Sequence, residues 1–138
     1  MFLVGIDMRW GMKKIRVVAA LIENNGRILI AQRLKGDLAG KWEFPGGKVE
    51  NGETDEKAIV REIYEEFNIS IKCDNYICNS IYVNNDKEID LRLYHCTYLS
   101  GEVVLSDHSS YVFVDKSLLL SYDLAEADIE LANYVVNN

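Results

Sequence analysis

The sequence predicts an α/β protein, a three-layer α/β/α sandwich around a mixed β-sheet. Apolar, β-branched runs recur along the chain, separated by turn signals. Only two segments carry helix-length amphipathic spacing, one central and one terminal. At 138 residues the chain fits one domain with a genuine core and is too short for a second of ordinary size. Strands interleaved with two such helices are covered most simply by one helix on each sheet face.

The elements follow in order. Residues 15–22, IRVVAALI, form an apolar strand, and after the turn signal Asn24-Asn25-Gly26 the run RILIAQR at 27–33 forms a second, giving an expected hairpin. Residues 34–40 make a polar, Gly-containing loop. Trp42-Glu43-Phe44 then leads into Pro45-Gly46-Gly47, an expected turn where backbone can approach a ligand closely. A helix is predicted over 55–67, with Thr54 as N-cap and Asp55 and Glu56 in the first turn, where the macrodipole favours negative charge. On it Ile59, Ile63 and Phe67 recur at i, i+4 and i+8, while Glu62, Glu65 and Glu66 share a different face. Two alternating runs, 71–83 and 88–99, pair antiparallel across the polar turn at 84–87. A short strand at 111–114, a short helix near 116–120 and an amphipathic helix over about 125–136 complete the chain, the last with Ile129, Ala132, Tyr134 and Val136 among its apolar positions.

Composition narrows the class. The net charge of −7 disfavours a nucleic acid polymer as partner, because such binding is driven by Lys and Arg on phosphates. Cys73, Cys78 and Cys96 are odd in number and lack a CxxC pair, which reads as reduced thiols in a cytoplasmic protein. His95 and His108 have no partner at metal-ligand spacing and take ordinary structural or surface roles. The opening residues lack a basic segment, are interrupted by Asp7 and are too short to span a membrane. Met12 looks like the natural start of a single domain over 12–138, so residues 1–11 read as an extension or a start-site artefact.

The chemistry lies in residues 47–69. There Gly47, Glu53, Arg61, Glu62, Glu65 and Glu66 stand at fixed offsets, and at average residue usage these would co-occur on the order of once per 10⁷ starting points. Three carboxylates within one turn repel unless something cationic sits among them. Oxygen-only ligands select hard divalent ions, Mg²⁺ or, as a substitute, Mn²⁺. A polyanionic substrate near such a face also needs a bridging cation.

This stretch resembles the box of the Nudix hydrolases, and EFPGGK at 43–48 is similar to the version in their MutT-type members, the similarity spanning residues 13–136. One position departs, Asn68 where the family has Gly; Asn is the residue best suited to replace Gly in a left-handed position. The resemblance implies the Nudix fold and Mg²⁺-dependent hydrolysis of a small nucleotide by a monomer or homodimer. It implies metal binding by the Gly46 carbonyl, Glu62, Glu65 and Glu66, with Asp107 as a further carboxylate. It leaves the general base open between Glu62 and Glu65, and gives Glu53 and Arg61 a supporting ion pair. Arg33 and Lys48 become phosphate contacts, Phe44 a wall of the nucleoside pocket, and Asp128, in LAEADIEL, the base reader. These segments look nearest to the CTP pyrophosphohydrolase and 8-oxo-dGTP diphosphatase branch, with water attacking the β-phosphorus to release monophosphate and pyrophosphate. The alternatives are ADP-ribose or dinucleoside polyphosphate hydrolysis, and a non-catalytic nucleotide-sensing module.

Overall fold

The structure, a computed structural model, describes residues 11–138, so the extension expected at 1–11 lies, apart from Gly11, outside the described residues. Strands β1 (Lys13–Asn24) and β2 (Arg27–Arg33) are joined by Asn25 and Gly26, both with positive φ. Their hairpin is shorter than the sequence suggests. Antiparallel partners are found only beside the turn, at Glu23↔Ile28 and Asn24↔Arg27. Beyond them the strands part, and residues 42–48 enter the gap. Within that segment β3 (Trp42–Glu43) pairs with β2, and β4 (Gly46–Lys48) pairs with Val17 to Ala19 of β1. The Pro-Gly-Gly run is therefore partly strand rather than only a turn. Gly46 permits this, since a Cβ there would collide with the Val18 carbonyl oxygen and stand 2.8 Å from Ala19 Cα.

The remaining strands are β5 (Ser70–Asn84), β6 (Lys87–Ser100) and β7 (His108–Asp115), the last starting three residues before the predicted run. Together the described residues form a seven-stranded sheet whose main path is β3-β2-β1-β6-β5, with β4 on β1 and β7 on β2. The β1–β6 ladder is parallel, from Lys13↔Lys87 to Glu23↔Thr97, and the others are antiparallel, so the sheet is mixed as predicted.

Two helices cover the two faces. Helix α1 (Asp55–Phe67) buries Ile59, Ile63 and Phe67 against Val18, Ala20 and Ile22 of β1. Helix α2 (Glu126–Asn137) buries Leu131, Ala132 and Val135 against Ala19 and Leu21 of the same strand, while Ile129 and Tyr134 stay exposed. The central strand alternates between two cores, which is the period-2 geometry of a sheet covered on both sides. The Thr54 hydroxyl accepts from the Lys57 N–H at 3.2 Å, the expected N-cap. Asn68 ends α1 in the left-handed region at φ 61° and ψ 24°, its N–H donating to the Tyr64 carbonyl. Asp55, read from sequence only as a favourable first-turn acid, is buried. It accepts from Tyr94 Oη at 2.7 Å and Arg92 Nη1 at 3.2 Å, and Arg16 Nε lies 2.9 Å away as an ion pair without hydrogen-bond geometry. Those contacts pin the start of α1 to β1 and β6.

Candidate active site

The acid-bearing face of α1 lies over β4. Gly47 makes the approach possible: a Cβ at 47 would stand 2.7 Å from Glu62 Oε1 and closer still to Glu62 Cδ and Oε2. The side chain of Glu62 is 16% exposed and that of Glu65 57%. Burial raises the Glu62 carboxyl above its ordinary range. Glu66 is pushed up to about 7, first by burial and then by the charge of Glu62, and its Oε2 is buried without a hydrogen-bond partner.

Arg61 organises the group. Its Nε and Nη2 donate to the two oxygens of Glu53 at 2.7 and 2.9 Å, a bidentate pair, and Nη1 reaches both Glu62 Oε1 and Glu65 Oε1 at 3.0 Å. Nη2 also donates to the Lys48 carbonyl at 3.2 Å, tying α1 to β4. Glu53 is pulled down to about 2 by Arg61, helped by the Glu50 N–H. Among the described residues no three His, Cys, Asp or Glu side chains converge as a ready metal cage, and Arg61 is ion-paired with both Glu62 and Glu65. The donor chemistry nevertheless suits a hard cation. All the candidate ligands are oxygens, one buried carboxylate oxygen has no partner, and the mutual charge on Glu62 and Glu66 is what a divalent ion relieves.

Residues 101–106 run across the C-terminal end of α1. Val104 N donates to the Phe67 carbonyl, and Ser106 N and Oγ donate to the Glu66 carbonyl. That path brings exposed Asp107 near enough for its charge to raise Glu66. Next along the chain, His108 is buried, stacks on Phe67 at a centroid distance of 5.0 Å and meets Glu43 Oε2 at 2.9 Å through Nε2. Glu43 also accepts from Arg33 Nη1 at 3.0 Å. Neither Glu43 nor His108 stood out in the sequence as a site residue. The contact joins β3 to the start of β7 across 65 residues, and no local spacing betrays it.

The second end of the site lies toward α2. Trp42 donates to the Asp123 carbonyl and accepts from the Ala125 N–H, fixing the start of that helix against β3. Asp128 is then buried, with Oδ1 accepting from the Phe44 N–H at 3.0 Å, while Phe44 itself is buried in the α2-side core. Its carboxyl is pushed up to about 8 by burial and by Glu43, against the opposing effect of the Phe44 N–H. Lys48 is exposed. Two hollows elsewhere are not part of this arrangement: one is lined by Leu21, Ile77 and Val135, another by Cys78, Asn133 and Tyr134.

A search of known families matches residues 12–128 to the NUDIX domain. CTP pyrophosphohydrolase of Escherichia coli K12 is 40% identical over 121 residues, covering 87% of this chain and 90% of that protein. A putative 8-oxo-dGTP diphosphatase 2 of Mycobacterium tuberculosis is 35% identical over 81% of both chains. Among solved structures, the E. coli ORF135 protein superposes with a TM-score of 0.85 at 38% identity, covering 93% of this chain and 92% of that one. The MutT protein of Methanosarcina mazei Go1 gives a TM-score of 0.80 at 26% identity, covering 92% and 94%.

Proposed function

The chain belongs to the NUDIX-domain family as a hydrolase of phosphoanhydride bonds, and on that premise we propose that it converts nucleoside triphosphates to monophosphate and pyrophosphate with Mg²⁺, acting on cytidine-type or oxidised nucleotides such as 8-oxo-dGTP. Divalent-metal dependence comes with the family; Mg²⁺, with Mn²⁺ as a substitute, is the finer assignment. The acting unit is the single domain 12–138, as a monomer or homodimer. No described helix is long and apolar enough to cross a membrane. The proposed compartment is the cytoplasm, in keeping with three free cysteines.

The observation that carries the nucleotide reading is the buried Asp128 carboxyl fixed by the Phe44 N–H beside the Glu43–Arg33 pair. A carboxyl that keeps its proton at neutral pH offers a donor and an acceptor together. Cytosine presents the complement in N3 and its exocyclic amine, and an oxidised guanine in O6 and N1–H. The names of the similar enzymes support these two bases over others with a matching edge. Phe44 walls the pocket, and Arg33 and Lys48 meet the phosphates.

At the reacting end, Glu62, Glu65, Glu66, the Gly46 carbonyl and Asp107 would hold the cation. When bound, it neutralises charge developing on the phosphates and lowers the pKa of a water molecule. Glu62 or Glu65 accepts the proton of the attacking water. Arg61, compensated by Glu53, keeps both carboxylates in place. Purified protein with Mg²⁺ and a panel of CTP, dCTP, 5-methyl-dCTP and 8-oxo-dGTP should release pyrophosphate. Monophosphate formed only from sugar nucleotides or dinucleotides would sink the substrate class.

A further inference from the structure

Glu43 sits between the two ends of the site, and the reactions just described give it no task. It lies on β3 opposite Ala31 of β2, with its side chain 17% exposed. One oxygen takes Arg33 Nη1 at 3.0 Å, the other His108 Nε2 at 2.9 Å. Arg33 Nε is buried without a partner, so the guanidinium is oriented through Nη1. His108 in turn stacks on Phe67, the last residue of α1, one position beyond Glu66. A single carboxylate thus fixes a cation at the end of β2 and an imidazole braced on the acid-bearing helix. Only an ionised carboxylate offers acceptors to both donors at once; a glutamine amide offers one acceptor and one donor.

We propose that Glu43 is a positioning residue, holding Arg33 aimed at the substrate phosphates with one oxygen and, through His108 and Phe67, steadying the last turn of α1 with the other. This rests on the phosphate role assigned to Arg33. A merely structural Glu43 would matter equally whether or not Arg33 is present, and that difference is measurable.

The test is a double-mutant cycle of E43A and R33A, with pyrophosphate release from CTP as the readout. E43A should raise KM roughly 10- to 30-fold with a smaller fall in kcat, as expected when the arginine that meets the phosphates loses the charge-assisted contact that orients it. In an R33A background the same change should raise KM by less than about 2-fold. E43Q, which keeps an acceptor for Arg33, should recover most of the loss. Equal effects in both backgrounds overturn the proposal. So does a change in the CTP to 8-oxo-dGTP turnover ratio that exceeds the change in KM, because that marks a base contact. Should E43A not fold, E43D repeats the cycle by withdrawing the charge one methylene. The cycle is read again by calorimetry with Mg²⁺ and inorganic pyrophosphate as the probe. If no triphosphate is turned over, the substrate reading fails, and coupling or its absence in the pyrophosphate titration still decides the role of Glu43.

Discussion

Two neighbouring glycines make opposite predictions, and the contrast tests whether Glu62 sits where hydrolysis needs it. In Gly47→Ala the new Cβ would lie 2.7 Å from Glu62 Oε1 and closer to the carboxyl carbon. Carbon atoms pack best about 3.5–4.0 Å apart, so the carboxyl must retreat by about 1 Å or more. The obstructing group is the end of a flexible side chain, and Gly47 has no left-handed backbone requirement, so the fold absorbs the change at about 1 kcal/mol or less. The chemistry does not, since a misplacement of about 1 Å at a reacting group lowers rate by about 100-fold. Gly46→Ala meets backbone instead, the Val18 carbonyl and Ala19 Cα, and must unpair β4 from β1. It should lower stability by several kcal/mol, on the scale of severe overpacking, on the order of 3 kcal/mol or more. Thermal unfolding and Mg²⁺-dependent pyrophosphate release are measured on both variants. A Gly47→Ala protein with unchanged kcat/KM refutes the reasoning, as does one that loses activity only in proportion to lost folded protein.

Three further outcomes are expected. Mg²⁺ at about a hundredfold over its dissociation constant should stabilise the wild type by about 2.7 kcal/mol; Glu66→Gln should raise metal-free stability at pH 8, by relieving the buried unpartnered charge, and should lose most of the metal effect in a thermal shift assay. Asp128 keeps its proton in the fold up to about pH 8, whereas the unfolded chain releases it near 3.8, so its contribution to stability falls as pH rises through that window. Asp128→Asn should flatten that slope in denaturant titrations and, keeping one donor and one acceptor, remove an alkaline decline in CTP turnover near pH 8. Asn68→Gly should be neutral within about 0.5 kcal/mol and Asn68→Ala should cost about 1 kcal/mol, read from chemical denaturation, because only the former suits φ 61°.

The layers, both helices and the acid cluster were legible because each rests on local periodicity or fixed spacing. Ile59, Ile63 and Phe67 announce a buried stripe, and Thr54 and Asn68 announce the ends of their helix. What stayed hidden depends on tertiary encounters. The Asn25-Gly26 signal indicates a hairpin but cannot say that residues 42–48 will enter between its strands after two pairs. Asp55 reads as a dipole-friendly acid until Arg16, Arg92 and Tyr94 surround it. Glu43 opens the EFPGGK run and His108 follows Asp107, yet no spacing in the sequence links the two, since their meeting is fixed by β2 pairing with β3 on one side and β7 on the other.

The parallel ladder between β1 and β6 gives the sequence motif a dependence that its own 23 residues conceal. β4, over which Glu62 lies, is anchored on β1, and β1 is anchored on a strand that starts only at Lys87. A fragment ending before that strand would contain every box residue yet lack the partner that holds β1 in register. Its helix would keep Arg61 against Glu62 and Glu65 but lose the ordered sheet face on which α1 packs. The box is therefore not a portable cartridge, and grafting 47–69 alone onto another helix would transfer the letters without the site.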